Sequence, residues 1–351
     1  MVRDVGMDRR LLILGLSHRT APVAQREKAR LADFAARALL GALLGHPAVV
    51  ECAVLSTCNR TELLAVVGDP AWGEAVLSQA LVDHSRIARH ELAEARYVHD
   101  DEVAARHLFR VAAGLDSMVL GESEVQGQVR AARELARAAG TLGPLLDRTF
   151  AHALRAGRRV RAQTRVAAGA VSVSSVAVDL ARTALGDLGG RRALLIGAGR
   201  AAEATARALL GQGLAEVVVA NRTPATAIAL AARFGGRAAD LDALADDMAA
   251  VDVVISSTDA AQTIVDANSL ARALERGRRR PLVLIDIAVP RDIDPRVGEL
   301  PGVRLYDIDD LRRVADANLD GRRREAVRAE AIVAAEVRRF AGGRSLARAA
   351  A

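Results

Sequence analysis

The run Ser56-Thr57-Cys58-Asn59-Arg60 follows the apolar residues Ala53, Val54 and Leu55 and places a thiol among polar neighbours. A cysteine kept for packing sits among apolar side chains, where burial suppresses its reactivity. Cys52, flanked by Val50, Ala53 and Val54, fits that description, and Cys58 does not. A polar thiol suits nucleophilic chemistry, since a thiolate can take an acyl group as a thioester that a hydride then reduces to an aldehyde. Arg60 stands where it could lower the thiol pKa and hold an anionic substrate group. His107 is a candidate proton shuttle, although it lies on an amphipathic helical pattern where a satisfied, partly buried histidine is the simpler reading.

A second chemistry is written in LLIGAGRAA, Leu194 to Ala202. Gly197, Gly199 and Ala202 stand in the G-x-G-x-x-G/A arrangement, with Ala198, Arg200 and Ala201 between them, directly after a strand and opening a helix. Gly197 permits the tight turn, Gly199 lets the backbone approach a pyrophosphate, and Ala202 allows close packing of helix on strand. The helix N-terminus offers unpaired N–H donors to the phosphates. The next strand ends in Asn221-Arg222-Thr223, where an NAD enzyme presents an acid to the ribose 2′-OH. A guanidinium and a hydroxyl suit a 2′-phosphate, so NADPH is the expected cofactor.

These residues need elements to hold them. Leu11 to Leu16 reads as a buried strand, followed by a Ser-His-Arg-Thr turn and a helix beginning near Pro22. VECAVLSTC is the next strand. Helical patterns then run from Trp72 to about Arg165, including Val103, His107, Phe109, Val111 and Leu115 at roughly helical spacing. From Gly169 the strands ALLIGAG, EVVVANR, DVVISST and LVLIDIA alternate with helical stretches in the βαβ manner, which predicts a doubly wound parallel sheet. The segment from Asp310 to Phe340 reads as one long, solvated helix, interrupted by Gly321, with a thin stripe of Leu311, Val314, Val327, Ile332, Val337 and Phe340.

The fold class is therefore α/β. A mixed α/β domain over 1–160 precedes a Rossmann-like domain over 166–308 and a long C-terminal helix over 309–351. With 51% hydrophobic but only 2% aromatic residues, the cores must be built from Ala, Leu and Val. The net charge of +6 favours an anionic partner such as a nucleic acid or nucleotide. No apolar run is long enough to cross a bilayer, and MVRDVGMDRR lacks the apolar segment of a signal peptide, so a cytoplasmic protein without membrane association is expected. Two cysteines make no disulfide framework, and the seven histidines form no HExxH motif, which fits a metal-free mechanism.

In this order, GLSHRTAPVAQRE, VLSTCNRTEL, HLFRVAAGLDSMVLGESEVQGQV, GAGRAAEATA, ANRT, ISST and IDIAVPRDIDP resemble the glutamyl-tRNA reductases, which begin tetrapyrrole synthesis from glutamate. The similarity covers nearly all of residues 11–340. It implies that Cys58 attacks the ester joining glutamate to its tRNA, that NADPH reduces the resulting thioester to glutamate-1-semialdehyde, and that the N-terminal domain recognises glutamyl-tRNA(Glu). It assigns Thr57, Asn59 and Arg60 to the glutamyl moiety, with Ser117, Glu122, Ser123, Glu124 and Gln128 from the GLDSMVLGESEVQGQ string, and places His107 near the thiol.

Glutamate-1-semialdehyde aminomutase is an implied partner for product hand-over. Where the family commonly shows Glu-Pro-Gln, this chain has Glu122-Ser123-Glu124, so one substrate-side amide becomes a second carboxylate. The family also continues into a helical dimerisation domain. From this chain's end a monomer or weak dimer is expected, with the distal helix stripe left wet and frayed beyond Gly321. Two other readings are a non-catalytic paralogue that binds tRNA or a pathway enzyme, and a shikimate-dehydrogenase-like enzyme. Intact Cys58, Arg60 and His107 argue against the first, and the first 150 residues against the second.

Overall fold

Strand β1 (Arg10–Ser17) is buried on both faces from Leu11 to Ser17, which marks it as the middle of a sheet covered on both sides. The computed structural model describes residues 9–122, 124–166, 173–275, 280–317 and 323–349. The chain divides into two compact units, Met1–Ala170 with Leu319–Ala351, and Val171–Asn318.

In the first unit, β1 pairs antiparallel with β3 (Arg60–Val67) and β4 (Tyr97–Asp100), and β3 pairs with β2 (Val49–Ser56), in the order β2-β3-β1-β4. Side chains alternate between faces along each strand. Leu11, Ile13, Leu64 and Val66 pack under α5 (Asp101–Ala112), α6 (Glu124–Ala138) and α7 (Pro144–Gln163). Leu12, Leu14, Leu63 and Ala65 pack under α1 (Val23–Ala29), α2 (Asp33–Gly45), α3 (Pro70–His84) and α4 (Arg89–Ala95). Cys52 lies in that second layer, fully buried, its thiol donating to the Leu40 carbonyl at 3.5 Å and pushed up to about 12 by burial. Strand β4 falls within the stretch expected to be helical. Its four residues are too few to show a period of two, and its edge pairing with β1 makes it a strand.

The second unit is a parallel sheet in the order β10-β9-β8-β5-β6-β7, with the strand order reversing between β5 (Arg192–Ile196) and β8 (Val253–Ser256). Strands β6 (Glu216–Ala220) and β9 (Leu282–Asp286) lie where their apolar runs predict, and β7 (Arg237–Ala239) and β10 (Val303–Tyr306) extend the two edges. Around them run α8 (Val173–Leu185), α9 (Arg200–Leu210), α10 (Pro224–Arg233), α11 (Leu244–Ala250), α12 (Ala267–Leu274) and α13 (Ile308–Ala317).

The expectation of a wet C-terminal stripe is corrected. Beyond α13, with Gly321 outside the described residues, α14 (Arg323–Ala349) belongs to the first unit and lies against α5 and α7. Val333, Val337 and Phe340 are each about 1% exposed and share a core with Leu11, and Ile332 packs against it. The Phe340 ring meets Phe109 edge-on at 5.8 Å. Val327 alone of the four distal residues named stays exposed, at 71%. The apolar faces of α5 and α7 supply the surface that the stripe covers. No helix among the described residues is long and apolar enough to cross a membrane.

Candidate active site

The thiol sits on the turn between β2 and β3. The Thr57 N–H donates to the Arg60 carbonyl at 2.8 Å, and the Thr57 hydroxyl accepts from the N–H groups of Asn59 (3.1 Å) and Arg60 (3.2 Å). A threonine hydroxyl that takes two backbone donors closes a tight turn without help from a glycine. Cys58 is held at its tip, half-buried. From outside the turn, the His18 N–H donates to the Asn59 carbonyl at 2.8 Å, and Arg26 Nη1 donates to the Cys58 carbonyl at 2.7 Å and to Asn59 Oδ1 at 3.4 Å.

Burial, seconded by Glu122, pushes the Cys58 thiol up to about 12, and Arg26 and Arg30 oppose that shift. The expectation that Arg60 activates the thiol is therefore not met. Arg60 turns inward, only 2% exposed, with Nη1 on Glu62 Oε1 at 2.6 Å and Nη2 on Asp116 Oδ2 at 3.1 Å and on the Asp116 carbonyl. Arg19 Nε meets the other Asp116 oxygen at 2.9 Å.

Glu62 is the centre of this network. Its fully buried Oε1 also accepts from the Tyr97 hydroxyl at 2.5 Å and lies 2.8 Å from His107 Nε2. Burial by itself would raise the Glu62 carboxyl, but His107 and Arg60 beside it hold it well below the usual carboxylate range. Tyr97 is driven well above its ordinary value by burial and by Glu62. His107, 8% exposed, is thus a partnered histidine whose Nε2 is fixed by a carboxylate.

Glu122 is raised to about 7, first by burial and then by Glu124. Both carboxylates raise the Cys58 thiol, which puts them in its electrostatic surroundings. The Ser117 hydroxyl is buried with no hydrogen-bond partner among the described residues. Gln128 lines a cleft of about 470 Å³ together with Ser56, Leu31 and Arg37. Ser123 lies outside the described residues. Sequence reasoning passed over Glu62, Tyr97, Asp116, Arg19, Arg26 and Arg30. A signal for one of them existed: Glu62 is in phase with Leu64 and Val66 on β3, so the alternation points its carboxylate inward.

In the second unit, a cleft of about 310 Å³ lies at the ends of β5, β6 and β8, lined by Gly197, Ala198, Gly199, Asn221, Arg222 and Ser257, among others. Gly197 has φ +108°, and a Cβ there would stand 2.9 Å from the Ser257 carbonyl oxygen, so both conformation and space require glycine. A Cβ on Gly199 would meet nothing within 4 Å, which leaves its main chain open to a ligand. Gly199 precedes α9, whose first-turn N–H groups at Arg200 and Ala201 open toward an anion, and Ala202, 1% exposed, packs inward. Asn221 Nδ2 donates to the Thr223 carbonyl at 3.2 Å, and Arg222 and Thr223 are exposed. Main-chain donors, a glycine cradle and a cation at the rim fit a dinucleotide.

Residues 14–164 match the family model described as glutamyl-tRNAGlu reductase, N-terminal domain, and residues 179–314 match that of shikimate / quinate 5-dehydrogenase. The chain is 44% identical to a glutamyl-tRNA reductase of Syntrophotalea carbinolica over 94% of its own length and 74% of the relative's. It is 46% identical to one of Moorella thermoacetica over 93% of its length and 74% of the relative's. Among solved structures it is similar to the glutamyl-tRNA reductase of Methanopyrus kandleri, with 36% identity, a TM-score of 0.50, and coverage of 95% of this chain and 80% of that one.

Proposed function

Because the chain belongs to the glutamyl-tRNA reductase family, we propose that Cys58 carries the glutamyl group as a thioester between release of tRNA and reduction. Family membership makes the chain an oxidoreductase of the first step of tetrapyrrole synthesis, with a pyridine-nucleotide-binding second unit. The observation that carries the reading is the contrast between two thiols: Cys52 is sunk in the core, whereas Cys58 stands half-buried at the tip of a polar turn.

The thiol is protonated in the free protein, so its proton needs an acceptor. With Nε2–H donated to Glu62, His107 presents Nδ1 as that acceptor, and the buried carboxylate stabilises the imidazolium that forms. The sulfur bonds to the ester carbonyl carbon, the bond to the ribose oxygen breaks, and that oxygen leaves with the proton returned by His107. When bound, NADPH supplies the hydride that reduces the thioester to the aldehyde, and the sulfur departs as thiolate. Gly197 to Ala202 would hold its pyrophosphate, and Asn221, Arg222 and Thr223 its 2′-phosphate. Glu122 takes the substrate ammonium, and Ser117, Thr57, Asn59, Glu124 and Gln128 complete the glutamyl surroundings, with Arg60 acting through Glu62. The aldehyde product passes to glutamate-1-semialdehyde aminomutase.

Mass spectrometry of the protein incubated with glutamyl-tRNA but no NADPH should show one glutamyl adduct on Cys58. Cys58→Ser should lose aldehyde formation by on the order of a thousand-fold or more, while Cys52→Ser keeps it. Equal turnover by wild type and Cys58→Ser would end this assignment.

A further inference from the structure

The segment between β1 and the end of α1 has no part in the chemistry above, yet it wraps the thiol turn. His18 and Arg26 both reach the turn residues, and Arg26 does so from a side chain only 2% exposed. A guanidinium is costly to bury, and here it points two donors' worth of one nitrogen at the Cys58 carbonyl and the Asn59 amide oxygen. Glu122 and Glu124 act on the Cys58 thiol in one electrostatic sense, and Arg26 acts in the other together with Arg30, which caps the end of α1.

We propose that Arg26 is the positioning residue of the nucleophile: it pins the carbonyl of Cys58 and, together with Arg30, forms the cationic wall against which the thiolate develops. The inference rests on the reading of Cys58 as the nucleophile. It gives the thiol two opposed sets of charge, a basic wall of Arg26 and Arg30 that favours the thiolate and an acidic wall of Glu122 and Glu124 that opposes it. In the free protein burial and the carboxylates prevail, and the thiol stays protonated. An aminoacyl substrate brings an ammonium, and once that cation sits on Glu122 the acidic wall is neutralised while the basic wall remains. The thiol is thereby armed by its own substrate, and idle oxidation or alkylation of the free enzyme is suppressed.

The test reads the thiol directly, without tRNA or nucleotide, so its failure is distinct from that of the thioester reading. In a Cys52→Ala background, the rate of iodoacetamide alkylation of Cys58 is followed by intact-mass spectrometry from about pH 7 to about pH 9. Arg26→Met should slow alkylation about ten-fold, as a rise of about one pKa unit requires, with Arg26→Lys restoring much of the rate. Glu122→Gln should change it in the opposite direction. A clamp with only a structural role gives the opposite sign for Arg26→Met, because a loosened turn exposes the sulfur and speeds its alkylation. An unchanged or faster rate in Arg26→Met, with native circular dichroism, overturns the proposal. If Arg26→Met does not fold, Arg30→Met takes its place: slower alkylation supports the cationic wall, and an unaltered rate overturns it.

Discussion

In the first unit Arg19, Arg60, Glu62, Tyr97, His107 and Asp116 form a network of ionic and polar side chains, and Arg26 holds the Cys58 turn, whereas in the second the main chain of Gly197 to Gly199 and the Ser257 carbonyl shape the turn that lines the cleft. A site made of backbone needs a local run of small residues, and it tolerates most changes that leave the run intact. A site made of buried ions depends on every member, because removing one leaves its partner charged and dry. The chain therefore carries a fragile ionic network in one unit and a robust main-chain cleft in the other, and substitutions should separate the two.

The largest effect is expected at Glu62. Glu62→Gln should cost about 3–5 kcal/mol of stability by taking from the buried Arg60 one of its two carboxylate partners and leaving Asp116 alone to balance it, and should lower kcat about a hundred-fold by unfixing His107. The pH dependence has a definite sign. Because the folded-state carboxyl is held below its ordinary value of 4.5, it contributes stability that is fully present above about pH 4.5 and is lost as pH falls toward the depressed value. Acid unfolding of Glu62→Gln, followed by circular dichroism, should therefore be less steep in that window. An equally steep curve would place the acid sensitivity elsewhere.

A smaller and opposite pattern is expected at Gly197. Gly197→Ala forces a side chain onto the Ser257 carbonyl at a positive φ, so it should cost about 1–3 kcal/mol and raise KM for the nucleotide, while alkylation of Cys58 stays as in wild type. A change in thiol reactivity would break the separation between the sites. The smallest effect belongs to Arg222. Arg222→Asp should shift preference from NADPH toward NADH by about ten-fold, less than a buried charge-assisted bond gives, because Arg222 is exposed. An unaltered ratio of kcat/KM for the two cofactors would show that Arg222 takes no part in choosing between them.

The same contrast decides what could be read in advance. The G-x-G-x-x-A run, strands β5, β6, β8 and β9 of the parallel sheet and the thiol turn are local, so residue type and spacing reveal them. The Glu62 network is assembled from three strands' and helices' worth of sequence distance, 45 residues between Glu62 and His107 alone, and no periodicity encodes such a meeting. Arg60 shows the hazard: its neighbour in sequence is the thiol, but as part of β3 it shares a face with Glu62, Leu64 and Val66 and turns toward the interior. The distal helix hides its packing from the sequence for a related reason. Its stripe of Ile332, Val337 and Phe340 reads as thin because the matching surface, on α5 and α7, lies far back in the chain.

That return of α14 to the first unit has a consequence for how the molecule is made. The chain enters the first unit, builds the whole of the second, and only then comes back, so Phe340 closes against a Phe109 synthesised long before it. At ribosomal rates of about 5–20 residues per second, the interval is roughly ten to fifty seconds. During it the faces of α5 and α7 that will receive Val333, Val337 and Phe340 have no cover from α14. The nucleotide unit, contiguous in the chain, can complete itself first, and the part of the enzyme begun earliest is finished last.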